Sequence, residues 1–541
     1  MLTTPAPGPH TPRYLLGFDL RRRPHLDADV LVVGGGVAGL CAALAAADAG
    51  KEVVLLAKAA IAESNTFYAQ GGVAAVLRAD EREAADSLEL HVQDTLTAGA
   101  GLCDETAVRD ILAGAEPAID RLRAYGCVFD GNGHGVSLAR EGGHSARRIL
   151  HANGDSTGQE VVRSLVAAAM RHPSITVIDQ AFAVDLLTDG GRVMGVLYYR
   201  RSELFAALGG ETILATGGCG RVWRETTNPP VATGDGLAMA YRAGAQVADV
   251  EFMQFHPTTL YIAGGARLLI TEAMRGEGAL LKNHAGERFM PGYHADAELA
   301  PRDVVSRAII SEIRRSEFPH VWLDATHLGR DFIAERFPMI MQACAKLGID
   351  IATQWMPVHP SAHYHCGGVR SDSVGRTSLP GLWAAGEVGC TGLHGANRLA
   401  SNSILEGLVV GLRAGEASAV PAERPPRVRI HHPEPSPAPE ELDVADLARS
   451  ARSLMWRQVG IERSGAELAV AKRSLEFWLR HQARGAFRDR GGWQLQNMLV
   501  VGGLVATAAE LRRASAGTHC RTDGVGALDP MRQVLVRPES A

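Results

Sequence analysis

The chain has 541 residues, 46% of them hydrophobic and 21% charged, with 60 glycines and a formal net charge of −5. That length accommodates roughly three or four domains of ~150 residues each, and the composition is that of a soluble globular protein. Without a basic excess to displace counterions from phosphates, nucleic acid is not an expected partner. Eight scattered cysteines with no C-x-x-C pair read as reduced thiols of a cytoplasmic protein, not as a disulfide framework.

In chain order, residues 1–28 are Pro-rich and polar and read as a flexible N-terminal extension. Arg21 to Arg23 are followed by Pro24 and Asp27, not by the apolar run of an export signal. Residues 29–33 form a β-branched run that predicts a buried strand, 41–49 an Ala-rich helix, and 51–57 a second strand. Residues 30–47 are apolar enough to imitate a membrane span, but Gly34 to Gly36 and Gly39 break the run. These glycines make a G-x-G-x-x-G turn between strand and helix. Gly34 permits the tight turn, Gly36 lets a pyrophosphate approach the backbone, and Gly39 lets helix pack on strand, while the helix N-terminus supplies partial positive charge. The acidic ribose ligand expected at the end of the second strand is missing, and Lys58 stands there instead.

Residues 211–220 (ETILATGGCG) and 377–387 (TSLPGLWAAGE) predict two more strands running into glycines. The second ends at Glu387, a carboxylate suited to accept a hydrogen bond from a ribityl hydroxyl. Three such turns in order favour FAD over NAD. Residues 421–441 are dense in proline and charge and predict an extended linker without regular structure. Helical spacing returns over 442–464, 468–485 and 495–514.

The candidate chemistry lies between these elements. His256 (QFHPT) and His363 (AHYHCGG) sit in uncharged settings, as do His365 and Cys366. No H-E-x-x-H or paired C-x-x-C completes a tetrahedral set, so no metal is expected. There is no G-x-S-x-G elbow and no phosphate-binding P-loop. Arg302 (APRD) and Arg398 (GLHGANRLASNS) each offer a fixed bidentate fork to a carboxylate. A dicarboxylate would need such cations together with neutral donors like His256 and His363. Residues 139–150, AREGGHSARRIL, set Glu141 among Arg140, His144, Arg147 and Arg148, beside two glycines. That pattern predicts a ligand carrying both negative and positive charge.

Together SNTFYAQGG, REGGH, GDG, EFMQFHPT, LLITEAMRGEGA, LAPRD, AHYHCGGV, AAGEV and TGLHGANRLASNSILEG, in order from residue 29 to 411, resemble the succinate dehydrogenase/fumarate reductase flavoprotein family. Within it they resemble the members that oxidise L-aspartate. The resemblance implies an α/β fold. A Rossmann-like FAD-binding domain (29–249 and 365–420) is interrupted by an α+β capping domain (250–364). The linker and a C-terminal helical domain (442–541) follow. At 513–523 the family's Glu and second Arg are Ala514 and Ala516, so no ion pairs are expected from those two positions. By the same resemblance Arg302 is the proton donor and acceptor. Arg398, His256 and His363 bind the substrate carboxylates, with Thr271 nearby, which leaves Glu141 to read the substrate amine. FAD is implied at Gly36, Val37, Ala38 and Gly39, at Lys58, and at Asn65, Thr66, Phe67, Tyr68, Ala69, Gln70, Gly71 and Gly72. Asp235, Glu387, Ser403 and Ile404 complete that set. Respiratory members attach FAD through a histidine at the position of Asn65, so the attachment here is expected to be non-covalent. The implied reaction takes L-aspartate to iminoaspartate, with oxygen or fumarate as acceptor. It feeds quinolinate and NAD synthesis, with a hand-off to quinolinate synthase. A soluble fumarate reductase or succinate dehydrogenase flavoprotein is the alternative. No membrane partner is expected, and a monomer is compatible with the sequence.

Overall fold

The computed structural model describes the chain except residues 132–134, 263, 266, 421–429, 435–441, 483–486, 525, 527–528 and 539–541. The first strand, His25–Val33, runs parallel to Val53–Leu56 in the register Val30–Val53 to Val33–Leu56. On its other side it pairs with Glu203–Leu214, which in turn carries Leu382–Ala384, again parallel. Ile175–Ile178 closes one edge, and an antiparallel meander, Phe182–Asp189 and Arg192–Arg200, extends the sheet at the other. All three strand–glycine turns therefore end side by side on one edge of one sheet. Parallel strands buried on both faces need apolar residues throughout, and Val53–Leu56 (VVLL) is buried at every position.

The helix Val37–Asp48 packs against Asn402–Ser418 on one face of this sheet. Their approach is close because Gly407, Gly411 and Gly415 recur at four-residue spacing along the second helix. A Cβ on Gly411 would lie 2.5 Å from the carbonyl of Ala38, and one on Gly415 would overlap that of Ala42. This stripe of small residues carries the N-terminus of Asn402–Ser418 to the glycine turns. On the opposite face, Leu237 and Met239 share a core with Leu454, Leu475 and Leu499 of the C-terminal helices. Those helices span Val444–Gln458, Gly465–Gln482 and Arg490–Leu511. The last begins earlier than its apolar periodicity because Asp489 caps it, accepting from Gly492 N at 2.9 Å.

The capping segment is a four-stranded antiparallel sheet in the order Met253–Leu260, Met356–His365, Val321–Asp324, Leu280–Lys282. Its core is its own, running from Leu260 to Val358, with Val305, Ala308 and Ile309 of the helix Arg302–Ser316 packed into it.

Three expectations need correction. The N-terminal stretch is not a free extension, because Tyr14, Leu15, Leu16, Phe18 and Leu20 are buried against Phe182 and Trp493. Ala6–Pro7 also pairs with Val534–Val536, tying the two ends of the chain together. The linker has regular structure in its described part, where His431–His432 pairs antiparallel with Phe18–Asp19; the rest of 421–441, save 430–434, lies outside the described residues. The strand expected at 377–387 is confined to Leu382–Ala384. No described helix is long and apolar enough to cross a membrane.

The glycine stripe is testable. Gly411→Ala should destabilise the protein by roughly 1–3 kcal/mol through overpacking, whereas Gly292→Ala, with nothing within 4 Å of its added Cβ, should leave it unchanged. Denaturant unfolding of the two variants beside wild type measures both.

Candidate active site

At the strand ends lies a cavity of about 960 Å³. Gly34, Gly36, Val37, Ala38 and Lys58 line it, as do Asn65, Thr66, Phe67, Tyr68, Ala69 and Gln70, with Asp235, Glu387, Ser403 and Ile404 opposite. The three fingerprint glycines divide their work. A Cβ on Gly34 (φ 123°) would overlap Ala215 O, and one on Gly39 would overlap Gly34 O, so both are packing positions. A Cβ on Gly36 would meet nothing nearer than Thr66 Oγ1 at 3.5 Å, leaving backbone open to the cavity. Gly39 itself does not line it.

Lys58 is paired. Its Nζ donates to Asp235 Oδ2 at 2.6 Å and Thr233 Oγ1 at 2.6 Å, and Asn497 Nδ2 holds the other oxygen of Asp235 at 2.8 Å. The acid missing from the end of the second strand is thus delivered by the helix Asp235–Ala243. Glu387 accepts from Asn65 Nδ2 at 2.9 Å and from His365 N at 3.0 Å, and burial raises its pKa. Gly218 of the second glycine turn is required there, since a Cβ would overlap the Glu387 carboxylate. Asn65 Oδ1, Gln70 Oε1 and Thr216 Oγ1 are buried on this cavity without protein partners. An extended dinucleotide with many hydroxyl and ring-nitrogen groups supplies what these atoms lack, so the residues fit FAD.

A smaller cavity of about 70 Å³ shares the wall formed by Ala69, Gln70, Leu269, His363, Ser403 and Ile404. Glu141, His256, Thr271, Arg302, His363 and Arg398 all line it, and Gly71 and Gly72 complete its floor. Arg302 opens the helix Arg302–Ser316; its Nε donates to Glu272 Oε2 at 2.6 Å and its Nη1 to Gln254 Oε1 at 3.1 Å. It does not pair with its neighbour Asp303, which bonds Arg307 at 2.9 Å instead. Arg398 has no carboxylate within 4 Å among the described residues. Its Nη2 donates to Gln254 Oε1 at 3.0 Å, its Nη1 to Ser403 Oγ at 3.2 Å, and its guanidinium lies over the Tyr364 ring, 4.7 Å from the centroid. Burial, then repulsion from Arg302, brings its pKa down to about 10, so it stays charged at neutral pH.

His256 and His363 face each other with ring centroids 5.2 Å apart. Thr258 N donates to His256 Nδ1 at 3.3 Å, which leaves Nε2 as the proton-bearing nitrogen. Thr227 Oγ1 lies 2.9 Å from His363 Nδ1. Burial, reinforced by the positive charge of Arg302, pushes both histidines well below their ordinary pKa. They are neutral donors at physiological pH. Thr271 caps the short helix Glu272–Gly276, with its oxygen accepting from Ala273 N at 3.4 Å and its hydroxyl hydrogen left for a ligand.

Glu141 accepts from Ser401 Oγ at 2.6 Å. The cations around it in sequence do not form an anion site. Arg148 is buried against Asp86 (2.7 Å) and Asp94 (2.5 Å), Arg147 turns outward to Glu83, and Arg140 is exposed. His144 accepts from Arg148 Nη1 at 3.1 Å and donates through Nε2 to Ala400 O at 2.9 Å, bracing the loop that holds Ser401. The two glycines also have local causes. Gly143 sits at φ 82°, and a Cβ on Gly142 would overlap Glu272.

Four residues of this cavity region escaped the sequence reading. Glu272, Arg275 and Gln254 lie inside the quoted motifs, yet only the fold shows Glu272 between Arg302 and Arg275, the latter at 3.7 Å. For Glu272, burial alone would raise the pKa, but Arg302 and Arg275 outweigh it and hold the acid below its usual range. Ser401 carried no signal; its left-handed backbone, φ 61°, aims its hydroxyl at Glu141. At His363, His365 and Cys366 the side chains go separate ways, with His365 Nε2 on Val250 O at 2.9 Å.

A doubly wound sheet with its ligand cavity over the strand ends, joined to a cationic inner pocket under a capping sheet, defines an FAD-dependent oxidoreductase. A family model described as an FAD binding domain matches residues 29–404. The L-aspartate oxidase of Streptomyces coelicolor is 45% identical over 95% of this chain and 92% of its own. That of Neisseria meningitidis is 42% identical over 92% and 99%. Among solved structures, the FrdA subunit of E. coli quinol fumarate reductase superposes with a TM-score of 0.84 at 31% identity, covering 92% of each chain. The Mycobacterium smegmatis Sdh1 complex gives 0.80 at 30% identity over 94% of each. The chain belongs to the L-aspartate oxidase family of FAD-dependent flavoproteins.

The neutral histidines set a pH expectation. Protonating either would add positive charge and tighten a dianion as pH falls, so succinate affinity should show no such rise between pH 8 and 6; flavin difference spectra measure it. Their depressed folded pKa also means that stability is full above about pH 6.5 and is lost as pH falls below it, because the unfolded chain then binds protons that the native state refuses. Thermal melts from pH 8 to 5 should show that decline.

Proposed function

We propose that this enzyme oxidises L-aspartate to iminoaspartate at the inner cavity, passing the electrons to oxygen to give hydrogen peroxide, or to fumarate to give succinate. The observation that carries the reading is a buried carboxylate, Glu141, in the same small cavity as two guanidinium groups, Arg302 and Arg398. Aspartate has two carboxylates and one ammonium, and the cavity presents the complementary set.

Bound FAD supplies the two-electron acceptor. Arg398, His256, His363 and Thr271 hold the two carboxylates and fix the reacting C–H bond, an orientation effect worth many kcal/mol. Glu141 binds the ammonium and accepts its proton at a carboxylate oxygen, with Ser401 holding the other oxygen. In the fumarate direction Arg302 gives a proton from a guanidinium nitrogen. Glu272, ion-paired on both sides with Arg302 and Arg275, holds that guanidinium in position. The helix N-terminus at Asn402 adds partial positive charge beside the flavin cavity.

The product is an imine that the next enzyme must capture before water does, which fits quinolinate synthesis in NAD production and a hand-off to quinolinate synthase. All eight cysteines are free thiols, as a reducing cytoplasm requires.

Anaerobic addition of L-aspartate should bleach the bound flavin; bleaching by succinate but not by aspartate would overturn the reading in favour of a succinate dehydrogenase flavoprotein. Glu141→Gln should lower aspartate oxidation about 10- to 100-fold, the worth of one charge-assisted hydrogen bond, and leave fumarate reduction within a few-fold. Equal loss of both reactions would make Glu141 a structural residue. With Asn65 at the attachment position, acid precipitation should release all flavin into the supernatant, read by its absorbance.

A further inference from the structure

The large cavity has a second charged end, used neither by the residues that fit FAD nor by the inner pocket. Arg221, Arg224, Arg267 and Arg452 line it with a single carboxylate, Glu225. They converge from three parts of the chain: the segment after Glu203–Leu214, the loop after Met253–Leu260, and the helix Val444–Gln458. Arg224 Nε and Arg267 Nε donate to the two oxygens of Glu225 at 2.8 and 2.6 Å, so that carboxylate is fully engaged. Among the described residues Arg452 reaches only backbone carbonyls, Trp223 O at 3.4 Å and Arg224 O at 3.2 Å. Arg221 has no carboxylate within 4 Å among the described residues. Burial and then repulsion from Arg452 lower the Arg221 pKa, yet a guanidinium remains charged at neutral pH.

Four guanidinium groups around one acid repel each other unless an anion joins them. The cluster also spans the way inward. Arg224 has 54% of its side chain exposed against 6% for Glu225, which places the outer end in solvent. At the inner end Thr227, two residues beyond Glu225, bonds His363, and His363 lines both cavities.

We propose that Arg221, Arg224, Arg267 and Arg452 form an outer anion site that collects dicarboxylates from solvent and passes them to the inner cavity. The proposal rests on reading the inner cavity as a dicarboxylate site. A cationic funnel of this kind raises association rates by about 10- to 1,000-fold at low ionic strength, without touching the chemical step.

The test uses FAD-loaded enzyme carrying Arg221→Ser with Arg452→Ser, which leaves the Arg224–Glu225–Arg267 bridge intact. Expected is a fall of about tenfold in kcat/KM at low salt, larger for fumarate with two net charges than for aspartate with one. Its salt dependence should flatten, and kcat at saturation should hold. Reoxidation by neutral oxygen should keep the wild-type rate, and Lys at both positions should restore most of the loss. Unchanged kcat/KM with the wild-type salt slope overturns the proposal, as does an equal fall with oxygen. Weakened FAD binding by the apoprotein would assign the arginines to the cofactor and also overturn it. If wild type itself is not reduced by aspartate, the reading of the inner site fails; wild-type turnover with an unaffected variant sinks the outer site alone.

Discussion

Two guanidinium groups, the half-buried Arg302 and the buried Arg398, stand so close together that both donate to the same oxygen, Gln254 Oε1, at 3.1 and 3.0 Å. Taking one such ion out of water has an effective penalty of about several kcal/mol, and placing two like charges together adds to it. Among the described residues only Arg302 of the two has a carboxylate, Glu272. Arg398 is held by an amide oxygen, a hydroxyl and the face of Tyr364, an arrangement that is attractive but leaves its charge uncompensated. An anion bound there would complete the balance, and the packing around the two arginines keeps them in place.

That constraint accounts for the division of the chain. No single segment can present two converging arginines with neutral donors between them. The capping sheet supplies Gln254, His256 and His363 from two paired strands, in the register Gln254–Tyr364. Arg302 comes from the helix packed on that sheet, and Arg398 from the loop preceding Asn402–Ser418. The last element is anchored elsewhere, by its glycine stripe against Val37–Asp48. The same contact that builds the cofactor turn therefore sets where Arg398 stands. Glu141 enters from a fourth segment and is fixed by Ser401, one residue before that helix.

Much of this was legible in the sequence because its causes are local. A glycine turn between strand and helix is recognised from a few residues, and a Cβ at Gly34 or Gly39 would indeed overlap backbone there. His256 and His363 stood out because each lies in an uncharged setting, Arg398 because it lies in a small-residue loop, and Arg302 because a guanidinium offers a fixed fork to a carboxylate. Other features depend on partners far along the chain. Arg148 looked like part of an anion site until Asp86 and Asp94, more than fifty residues earlier, were seen to neutralise it. Lys58 looked like a missing acid, although Asp235, 177 residues later, stands against it. The N-terminal stretch looked free because its apolar residues are sparse, yet they fill a groove beside Trp493.

By itself the sequence determined the α/β class, the dinucleotide turn and the inventory of charged and neutral groups that a dicarboxylate demands. Those follow from backbone geometry and side-chain chemistry, which act over a few residues. Tertiary structure alone decided which charges cancel and which stay free, because pairing depends on distance in space. It made Arg148 an inert buried ion pair, left Arg398 and Arg221 without a carboxylate among the described residues, and set Glu141 in the inner cavity beside Arg302 and Arg398.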